Sequence, residues 1–548
     1  MTTAAVRLPS GPGDPAAILA SIPWDDRTIQ RLLVVRTAEE PDAVALTVAG
    51  EPMTWRQLTD RAERVAAILA HLGVGPGDVA CQMTGNTSNH VAFVFGAALV
   101  GAIECPVNTA LQGDSLVHVL THSTARVLFV DRPFLAQLER IAGELGDLAV
   151  VAWGDGQAPA PALGTLRTFA VGDFGDLPPA PVAAVTPAHP STMIYTSGTT
   201  GKAKGVLLPH HFAFATAAIK VGVWGLSDRD VLLSPLPLFH SNGRYSTLMT
   251  GLLVHAGVHL LPRFSASTFW PIVRETGATE IASVGTMGPI LLARDPSPDD
   301  RNHRVRMIHG AGTIPPERRA EFEDRFGIKL VNGFAMTETG HFSTISPDDP
   351  LRYQASGRPV PGFDVRILDD HDEELPAGVV GELCVRPTVP WSMILEYWRQ
   401  PDVTVETFRN FWFHTGDLAY IDADGLLNWT DRKKDAIRRR GEMISSMVVE
   451  NAATAHPGVG EAAAFGVPGE LGEEEVFLYV TAALAGETLD PAAIEATMAA
   501  LLPAFAVPRY IAQLDSLPRS ATLKIDKKAL KAGAKPAEAW QAPEPGQR

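Results

Sequence analysis

Apolar residues along the chain alternate between short runs typical of β-strands and longer runs with the period of a helix. Val44–Val48, Val127–Val130 and Val231–Ser234 predict strands, as do residues 148–152 and 258–261. Residues 55–72 place their apolar side chains on one face and predict an amphipathic helix. Because helical segments lie between the strand-like runs, we expect α/β layers with mostly parallel sheets.

The chain is too long for one hydrophobic core, since its 548 residues exceed the size at which single cores stop growing. A polar run, Asp431-Arg-Lys-Lys-Asp435, separates two apolar regions and marks a boundary. We therefore predict a flexible N-terminus over residues 1–22, a large domain over 23–432 and a small domain over 433–548. A proline-rich stretch at 177–182 predicts a connector inside the large domain.

Composition and charge exclude several classes of protein. The formal net charge of −16 argues against nonspecific nucleic-acid binding, which needs a basic face. The three cysteines form no CxxC pair, so neither a disulfide framework nor a zinc site is indicated. Residues 1–25 lack a leader pattern, and no apolar run approaches the ~20 residues that span a bilayer. We expect a cytoplasmic protein without membrane insertion.

One glycine- and hydroxyl-rich segment, Tyr195-Thr-Ser-Gly-Thr-Thr-Gly-Lys-Ala-Lys-Gly205, carries the main chemical information. Glycines let backbone N–H groups approach an anion, and Ser/Thr hydroxyls add donors for phosphate oxygens. The spacing is not that of a Walker P-loop, because only two residues separate its glycines and alanine follows the first lysine. A plain surface turn is the alternative. The predicted phosphate ligands are Thr196, Ser197, Gly198, Thr199, Thr200, Gly201, Lys202 and Lys204.

This segment resembles the phosphate loop of the adenylate-forming superfamily, which includes acyl-CoA synthetases, adenylation domains of peptide synthetases and luciferases. Four further segments resemble that family's motifs and follow in the order it requires, over nearly the whole chain. The resemblance implies a large N-terminal domain of layered α/β subdomains with mostly parallel sheets, and a small, mobile α+β C-terminal domain. It also implies ATP and Mg²⁺ as cofactors and CoA as co-substrate.

The second segment, Asn332-Gly-Phe-Ala-Met-Thr-Glu-Thr-Gly340, resembles the family's adenine- and metal-binding motif. The match implies that Phe334 stacks on adenine, that Thr337 contacts the α-phosphate and that Glu338 holds the metal. Mg²⁺ prefers hard oxygen ligands and often uses one carboxylate with substrate phosphates. The adenine and ribose site would further include Asn332, Gly333, Gly310 and Ala311.

The third and fourth segments resemble the ribose motif and the hinge. Asp417 would accept hydrogen bonds from both ribose hydroxyls, because an ionised carboxylate suits a vicinal diol. Arg432 would also touch the ribose, and Lys434 falls at the hinge about which the C-terminal domain rotates. Gly441 would let the pantetheine arm pass close to the backbone. Arg440 and Glu442 belong to the same CoA side. The arginines at 438–440 are equally consistent with a solvated surface and with cations near the CoA phosphates.

The fifth segment resembles the motif that carries the adenylation lysine, and the match selects Lys524. Leu523 replaces a glycine common in the family, which affects the loop because leucine does not tolerate positive φ. In Pro237-Leu-Phe-His-Ser-Asn-Gly243, His240 is a candidate gate between the acid site and the thiol tunnel. A lone histidine is more often structural, which is the alternative here.

Together these residues predict an ATP-dependent carboxylic acid:CoA ligase that forms an acyl-adenylate and then a thioester. Arg439-Arg-Gly-Glu-Met-Ile-Ser-Ser446 most resembles the crotonobetaine/carnitine–CoA ligase-like branch. Trp224, Phe239 and residues 284–288 indicate an apolar pocket, hence a hydrophobic acid. Loading of a carrier protein's phosphopantetheine arm is the close alternative, and a luciferase-like monooxygenase and a non-catalytic nucleotide sensor are others. A carrier protein and a homodimeric partner stay open.

Overall fold

The computed structural model describes residues 6–154, 162–196, 202–285, 287–310, 314, 316–350, 355–439, 442–469, 474–519 and 525–542, with only the backbone at 316, 317, 438, 442 and 443. The chain forms two compact units. The first comprises Met1–Val365 and Val385–Phe411, and the second comprises Arg366–Cys384 and Trp412–Arg548. Residues 412–432, which precede the predicted boundary at 432, thus belong to the second unit.

The strands and helices follow one another in an α/β pattern. The strands are Val44–Val48 (β1), Glu51–Thr54 (β2), Val79–Met83 (β3), Ile103–Pro106 (β4), Val127–Val130 (β5), Ala149–Ala152 (β6), Thr168–Ala170 (β7), Pro190–Thr196 (β8), Lys204–Pro209 (β9), Val231–Ser234 (β10), Gly257–Leu260 (β11), Glu280–Ala282 (β12), Met307–His309 (β13), Lys329–Val331 (β14), Gly333–Met336 (β15), Gly340–Thr344 (β16), Arg358–Pro359 (β17), Phe363–Leu368 (β18), Gly381–Pro387 (β19), Glu396–Tyr397 (β20), Phe413–Ile421 (β21), Leu427–Arg432 (β22), Ile437–Arg439 (β23), Glu442–Ile444 (β24), Val459–Pro468 (β25), Glu474–Ala482 (β26), Tyr510–Gln513 (β27) and Trp540–Gln541 (β28). The α-helices are Pro15–Ala20 (α1), Ile29–Glu39 (α2), Trp55–His71 (α3), Ser88–Leu99 (α4), Gly113–His122 (α5), Leu135–Glu139 (α6), His210–Trp224 (α7), Thr250–Val254 (α8), Phe269–Thr276 (α9), Met287–Leu292 (α10), Pro316–Phe326 (α11), Pro401–Thr407 (α12), Ser446–Thr454 (α13), Pro491–Leu501 (α14) and Lys527–Ala532 (α15).

The first unit contains two large sheets that are parallel except near their edges. The eight-stranded sheet has the order β20-β9-β8-β4-β3-β5-β6-β7, and the seven-stranded sheet has the order β14-β13-β12-β10-β11-β1-β2. Among the described strand pairs of these two sheets, β8–β9, β9–β20 and β1–β2 are antiparallel and the others are parallel. A small antiparallel sheet, β15-β16-β17, completes the unit. These sheets confirm the predicted fold class.

Helix α3 illustrates how the pattern of the sequence determines a local element. Thr54 caps its N-terminus by accepting from Gln57 N, while Thr54 N donates to the Gln57 side chain. Two orphan backbone donors are thereby satisfied. Leu58, Val65 and Leu69 share the buried face, at the spacing that one face of a helix requires. The helix ends at His71, one residue short of the predicted limit.

Within its described residues, the second unit contains three smaller sheets and three α-helices. Strands β18-β19-β21-β22 form one sheet, β23 and β24 form a ribbon, and β25-β26-β27-β28 form another. The chain passes from one unit to the other within β18 and again within β19. A core of aliphatic side chains that includes Val449, Leu478 and Ile494 packs α13 and α14 against the last sheet. This mixture of helices and mainly antiparallel strands confirms the α+β character predicted for the C-terminal region.

The seven-stranded sheet aligns the carboxyl ends of β12, β13 and β14. Their registers pair Ala282 with His309 and His309 with Val331. The next residues are therefore neighbours: Ser283, Gly310 and Asn332 follow directly after these strands. Ligands of α/β proteins bind beyond the carboxyl ends of parallel strands. This edge is consequently where the first unit can build a site.

Candidate active site

Strands β8 and β9 bring the two ends of the predicted phosphate loop together. Their antiparallel register makes Thr196 and Lys204 direct partners. The nitrogen Nε2 of His118 lies 2.8 Å from the carbonyl of Ala203, which fixes the second strand's approach. Lys202 is exposed. The structure thus places a hydroxyl and two ammonium groups around one hairpin, as a polyphosphate site requires.

A chain of contacts joins this hairpin to the predicted metal ligand. The ammonium of Lys204 lies 4.9 Å from the ring centroid of Tyr397, a cation–π distance. The hydroxyl of Tyr397 donates to Oε1 of Glu338 at 2.9 Å, and both side chains are buried. Burial, followed by the adjacent carboxylate of Glu338, raises the pKa of Tyr397. The tyrosine is therefore protonated at neutral pH and serves as a donor that orients Glu338.

The carboxyl edge of the seven-stranded sheet contacts residues 241–242, and these also approach Thr337, which directly precedes Glu338 in the predicted motif. Asn242 Nδ2 donates to the carbonyl of Ser283 at 3.3 Å. Gly310 has φ +83°, and a Cβ there would lie 2.2 Å from the same carbonyl oxygen. The hydroxyls of Ser241 and Thr337 are 3.4 Å apart. Only glycine fits at position 310, which leaves exposed backbone at the mouth of the edge.

The nucleotide residues predicted at 332–334 lie at the start of β15. Asn332 Nδ2 donates to the carbonyl of Ala355, and the carbonyl of Asn332 accepts from Thr344 Oγ1. A Cβ on Gly333 would come within 2.8 Å of backbone oxygen, so this position also admits only glycine without movement. The ring of Phe334 is partly exposed, as a stacking platform for adenine must be.

His240 lies on the loop between β10 and a π-helical segment, Asn242–Met249. Its side chain is exposed, and its ring centroid is 4.7 Å from that of Phe239. The segment is anchored by Arg244, which is buried and donates two hydrogen bonds of 2.8 Å to Glu104. Short π-helical stretches occur frequently at functional sites. The structure therefore holds His240 at the surface of the first unit, where it can meet a substrate.

In the second unit, β21 and β22 bring the two predicted ribose residues together. Asp417 and Arg432 are register partners, and Arg432 Nε lies 3.5 Å from Oδ1 of Asp417. The indole of Trp429 donates to the same oxygen at 3.1 Å. Asp417 is buried, with 2% of its surface exposed. The carboxylate is thus fixed in orientation by two donors from the neighbouring strand.

The predicted hinge lies in a turn between β22 and β23. Lys434 is exposed there, and burial of its stem lowers its pKa somewhat. Its neighbour Lys433 is anchored, because its ammonium lies 3.0 Å from Asp370 and 3.1 Å from Glu382. Burial acts to raise the pKa of Glu382, but His414 and Lys433 outweigh it and lower that pKa to about 2. Both lysines are thus exposed in the turn, and Lys433 is held there by two carboxylates.

Several predicted site residues cannot be placed. The following lie outside the described residues: Ser197, Gly198, Thr199, Thr200, Gly201, Ala311, Arg440, Gly441 and Lys524. For Glu442 the structure describes the backbone, in β24, and not the side chain. The roles given to these residues remain predictions.

Comparison with known proteins decides the family. The model of the AMP-binding enzyme family matches residues 34–398, and that of its C-terminal domain matches residues 448–524. The chain belongs to the AMP-binding enzyme family. It is an AMP-forming acid–thiol ligase of the adenylate-forming superfamily, which confirms the assignment drawn from the five motifs.

Its relatives include ligases for different acids and acceptors. A sulfoacetate–CoA ligase from Cupriavidus necator is 32% identical over 91% of this chain and 96% of its own length. A fatty acid–[acyl-carrier-protein] ligase from Streptomyces coeruleorubidus is 30% identical over 92% and 96%. Crotonobetaine/carnitine–CoA ligase from Salmonella typhi is 29% identical over 87% and 93%.

Solved structures agree with this family. An anthranilate–CoA ligase in complex with anthranoyl-AMP superposes with a TM-score of 0.81 at 26% identity, covering 94% of this chain and 98% of that one. O-succinylbenzoate–CoA synthetase from Bacillus subtilis, with its acyl-adenylate, gives 0.80 at 25% identity over 91% and 97%. Among the described residues, no helix combines the length and apolar character needed to cross a membrane.

Sequence reasoning missed two supporting residues of the site, Tyr397 and Trp429. Tyr397 is 59 positions from the carboxylate that it contacts, and Trp429 is 12 positions from Asp417. Neither spacing follows a helical or strand repeat within one element. An aromatic residue with a polar tip beside a motif acid was the one available signal, because buried Tyr and Trp usually need a partner.

Proposed function

We propose that the protein activates a carboxylic acid with a mainly apolar body and transfers the acyl group to CoA. The observation that carries the proposal is the continuous contact from Lys204 through Tyr397 to Glu338. It places the cation predicted for the phosphates and the carboxylate predicted for the metal in one unit, beside the strand edge at Gly310.

The first step forms the acyl-adenylate. An oxygen of the substrate carboxylate attacks the α-phosphorus of ATP, and pyrophosphate leaves with the electron pair of the broken P–O bond. Thr196, Lys202 and Lys204 hold the departing phosphates, and Thr337 donates to the α-phosphate. The motif match assigns Lys524 the orientation of the carboxylate. Such catalysis is mainly positioning and charge stabilisation.

The motif match assigns further nucleotide contacts to residues of each unit, taken separately. Phe334 stacks on adenine, with backbone near Gly310 and Asn332 lining the same space. Asp417 accepts from the ribose hydroxyls, and its fixed orientation between Trp429 and its strand partner suits that role.

Mg²⁺ fits the donors present. Glu338 offers a hard carboxylate oxygen ligand held in place by Tyr397, and the hydroxyl of Thr337 belongs to the neighbouring residue. When bound, Mg²⁺ would offset negative charge on the phosphates. The part assigned to the chain is to keep the Glu338 carboxylate correctly oriented.

The second step makes the thioester. The thiol of CoA attacks the acyl carbonyl carbon, loses its proton, and displaces AMP. The motif match assigns Gly441, Arg440 and Glu442 to the CoA side and Lys434 to the hinge between the two half-reactions. His240, exposed on its anchored loop, is the candidate gate toward the thiol.

An apolar acid body is supported by side chains at the mouth of the strand edge. Phe239 is partly exposed, and Val284, directly after Ser283, exposes 45% of its surface. Met287 and Leu291 of α10 are buried in the adjoining core. The relatives act on acids as different as sulfoacetate, anthranilate and fatty acids by name. No single one of these substrates is therefore transferred to this chain.

The test is pyrophosphate release with ATP and Mg²⁺ over a panel of carboxylic acids, each with and without CoA. We expect acid-dependent release and, with CoA, a thioester. Glu338→Gln should abolish both, whereas Glu396→Gln, an exposed carboxylate on β20, should change neither. Pyrophosphate release that no acid stimulates would overturn the proposal.

A carrier protein is the second candidate acceptor. It is favoured by the relative from Streptomyces coeruleorubidus, whose name specifies acyl-carrier-protein as the acceptor. The same panel distinguishes the two, with holo-acyl-carrier protein replacing CoA. Adenylate formation without a CoA thioester, but with acylated carrier, would establish this alternative.

A further inference from the structure

Helix α7 buries a lysine that has no hydrogen-bond partner among the described residues. Lys220 is 0% exposed, and its Nζ makes no hydrogen bond. Burial lowers its pKa to about 7, although the carboxylate of Glu280 acts in the opposite direction. Lysine is almost never fully buried unless it is paired. A functional explanation is therefore required for this position.

Lys220 and two histidines surround the ring of Trp224, and a carboxylate lies beside one of these histidines. Lys220 Nζ lies 5.9 Å from the ring centroid of Trp224, and the ring of His309 packs against the indole at 4.7 Å. The ring of His341 contacts the indole edge-on at 5.5 Å. His309 Nε2 is 2.8 Å from Glu280 Oε1. We call Lys220, Glu280, His309 and His341 the polar cluster.

The polar cluster is not internally satisfied. Both carboxylate oxygens of Glu280 and both ring nitrogens of His309 are buried without an aligned hydrogen bond within the described ranges. The 2.8 Å approach of His309 Nε2 to Glu280 Oε1 does not have the geometry of a hydrogen bond. Buried polar atoms in native proteins are almost always hydrogen-bonded, so several unsatisfied ones in one place need an explanation. A bound ligand with polar atoms supplies it.

The polar cluster is connected to the candidate active site through the chain and through hydrogen bonds. His309 precedes Gly310, whose backbone is exposed at the strand edge. Trp224 Nε1 donates to Thr344 Oγ1, which in turn donates to the carbonyl of Asn332. His341 keeps part of its surface exposed. The cluster thus adjoins the strand edge at Gly310, where the proposed function places the acid.

We propose that the polar cluster binds an oxygen function of the substrate acid at the end remote from the reacting carboxylate. The substrate class is an acid with an apolar body and a distal carbonyl, hydroxyl or second carboxylate. Lys220 donates to that oxygen, and the two histidines supply further hydrogen bonds. This inference rests on the proposed ligase function and adds the polar end that a purely hydrophobic acid lacks.

Matched acid pairs test the inference. The members of each pair differ only in a distal oxygen-containing group. The pairs are hexanoate and adipate, benzoate and 4-hydroxybenzoate, and phenylpropionate and its ring-hydroxylated form. We expect kcat/KM for pyrophosphate release to favour the oxygenated member of at least one pair by tenfold or more, since a hydrogen-bonding site rejects an analogue that lacks the group. Lys220→Met should reduce that ratio to about one while the plain acid keeps its rate.

Binding distinguishes this inference from the ligase function itself. The same acyl groups are attached to 5′-O-sulfamoyladenosine, and affinity is measured by calorimetry, which needs no turnover. Oxygen-dependent affinity that Lys220→Met removes would support the polar cluster even if no acid released pyrophosphate. Equal affinities for both members of every pair in the wild-type protein would overturn it.

Two controls separate recognition from folding. Lys329→Met removes an exposed lysine that pairs with Asp348 and should leave the selectivity ratio unchanged. If Lys220→Met does not fold, Lys220→Gln retains a donor and should keep a reduced preference for the oxygenated acid. A variant of Lys220 that slows both members of a pair equally would show a structural role and refute the proposal.

Discussion

Removing the hydroxyl of Tyr397 should weaken the candidate metal site without disturbing its surroundings. Tyr397→Phe deletes the 2.9 Å hydrogen bond to Glu338 Oε1 and keeps the ring beneath the ammonium of Lys204. Tyr397 is 6% exposed and Glu338 is 7% exposed, so water cannot easily replace the lost donor. The substitution therefore isolates the single contact that orients the carboxylate.

The magnitude follows from the nature of that contact. A hydrogen bond to a charged group contributes about 1.5–3 kcal/mol, and tenfold in an equilibrium corresponds to about 1.4 kcal/mol. Loss of a group that orients a metal ligand typically costs roughly 10–100-fold in metal affinity or activity. We expect the Mg²⁺ concentration for half-maximal pyrophosphate release to rise by about tenfold or more in Tyr397→Phe.

The assay is a Mg²⁺ titration of acid-dependent pyrophosphate release. Tyr195→Phe is the matched control, because the Tyr195 hydroxyl lies 2.8 Å from Nδ1 of His122 and so pairs with a different side chain. It should cost stability without changing the Mg²⁺ requirement. An unchanged Mg²⁺ requirement in Tyr397→Phe would refute the assignment of Glu338 as a metal ligand that Tyr397 orients.

Three further predictions concern other parts of the chain. Gly310→Ala should lower stability by about 1–3 kcal/mol or more in thermal melts and slow adenylation, because a Cβ would lie 2.2 Å from a backbone oxygen at φ +83°. Glu382→Gln should destabilise the second unit by about 2 kcal/mol near pH 7, measured by urea unfolding. In single-turnover assays, Lys524→Ala should lose adenylate formation yet convert supplied acyl-adenylate, whereas Lys434→Pro should form adenylate and stall before thioester.

Each of these has a distinguishing outcome. Gly378 has the same φ of +83° with open space around it, so Gly378→Ala should cost less than the substitution at Gly310. Equal losses of stability in the two variants would mean that the close contact at Gly310 adds nothing to the cost of the backbone angle. If the variants of Lys524 and Lys434 lose the same half-reaction, the two-step assignment is wrong.

The pH dependence at Glu382 has a definite sign. Its pKa is lowered from 4.5 to about 2, which corresponds to about 3 kcal/mol before solvent screening and about 2 kcal/mol after it. A depressed carboxyl pKa gives stability that is present above pH 4.5 and lost as the pH falls through 2. The difference between wild type and Glu382→Gln should therefore shrink between those values. A constant difference would contradict the charge-based explanation.

The sequence predicts the elements and motif positions well, because both depend on local pattern. The apolar runs at Val44–Val48, Val127–Val130 and Val231–Ser234 are strands at the predicted limits. Glycine in the phosphate loop and at Gly310 follows from chemistry that needs close backbone approach. The strand ends then bring Ser283, Gly310 and Asn332 together by the geometry of a parallel sheet alone.

The remaining contacts depend on long-range register that no local pattern encodes. With Phe239 and residues 284–288, Trp224 is predicted from the sequence to line an apolar pocket. The structure instead surrounds its ring with Lys220, His309 and His341. His309 and His341 come from two strands that lie more than 80 positions after Lys220 in the chain. Only the packing of α7 with two separate sheets places the three residues side by side.

The same long-range assembly explains why the substrate is harder to predict than the reaction. Adenylation uses atoms common to every acid, so its residues occur in short motifs such as the one that contains Glu338. The distal end of the acid differs between ligases, and its partners here are brought together by α7, β12, β13 and β16. Lys220 alone, read in the sequence, is a charge in an apolar helix. With Glu280 and His309 beside it, Lys220 is part of the polar cluster, which an acid with a distal oxygen would complement.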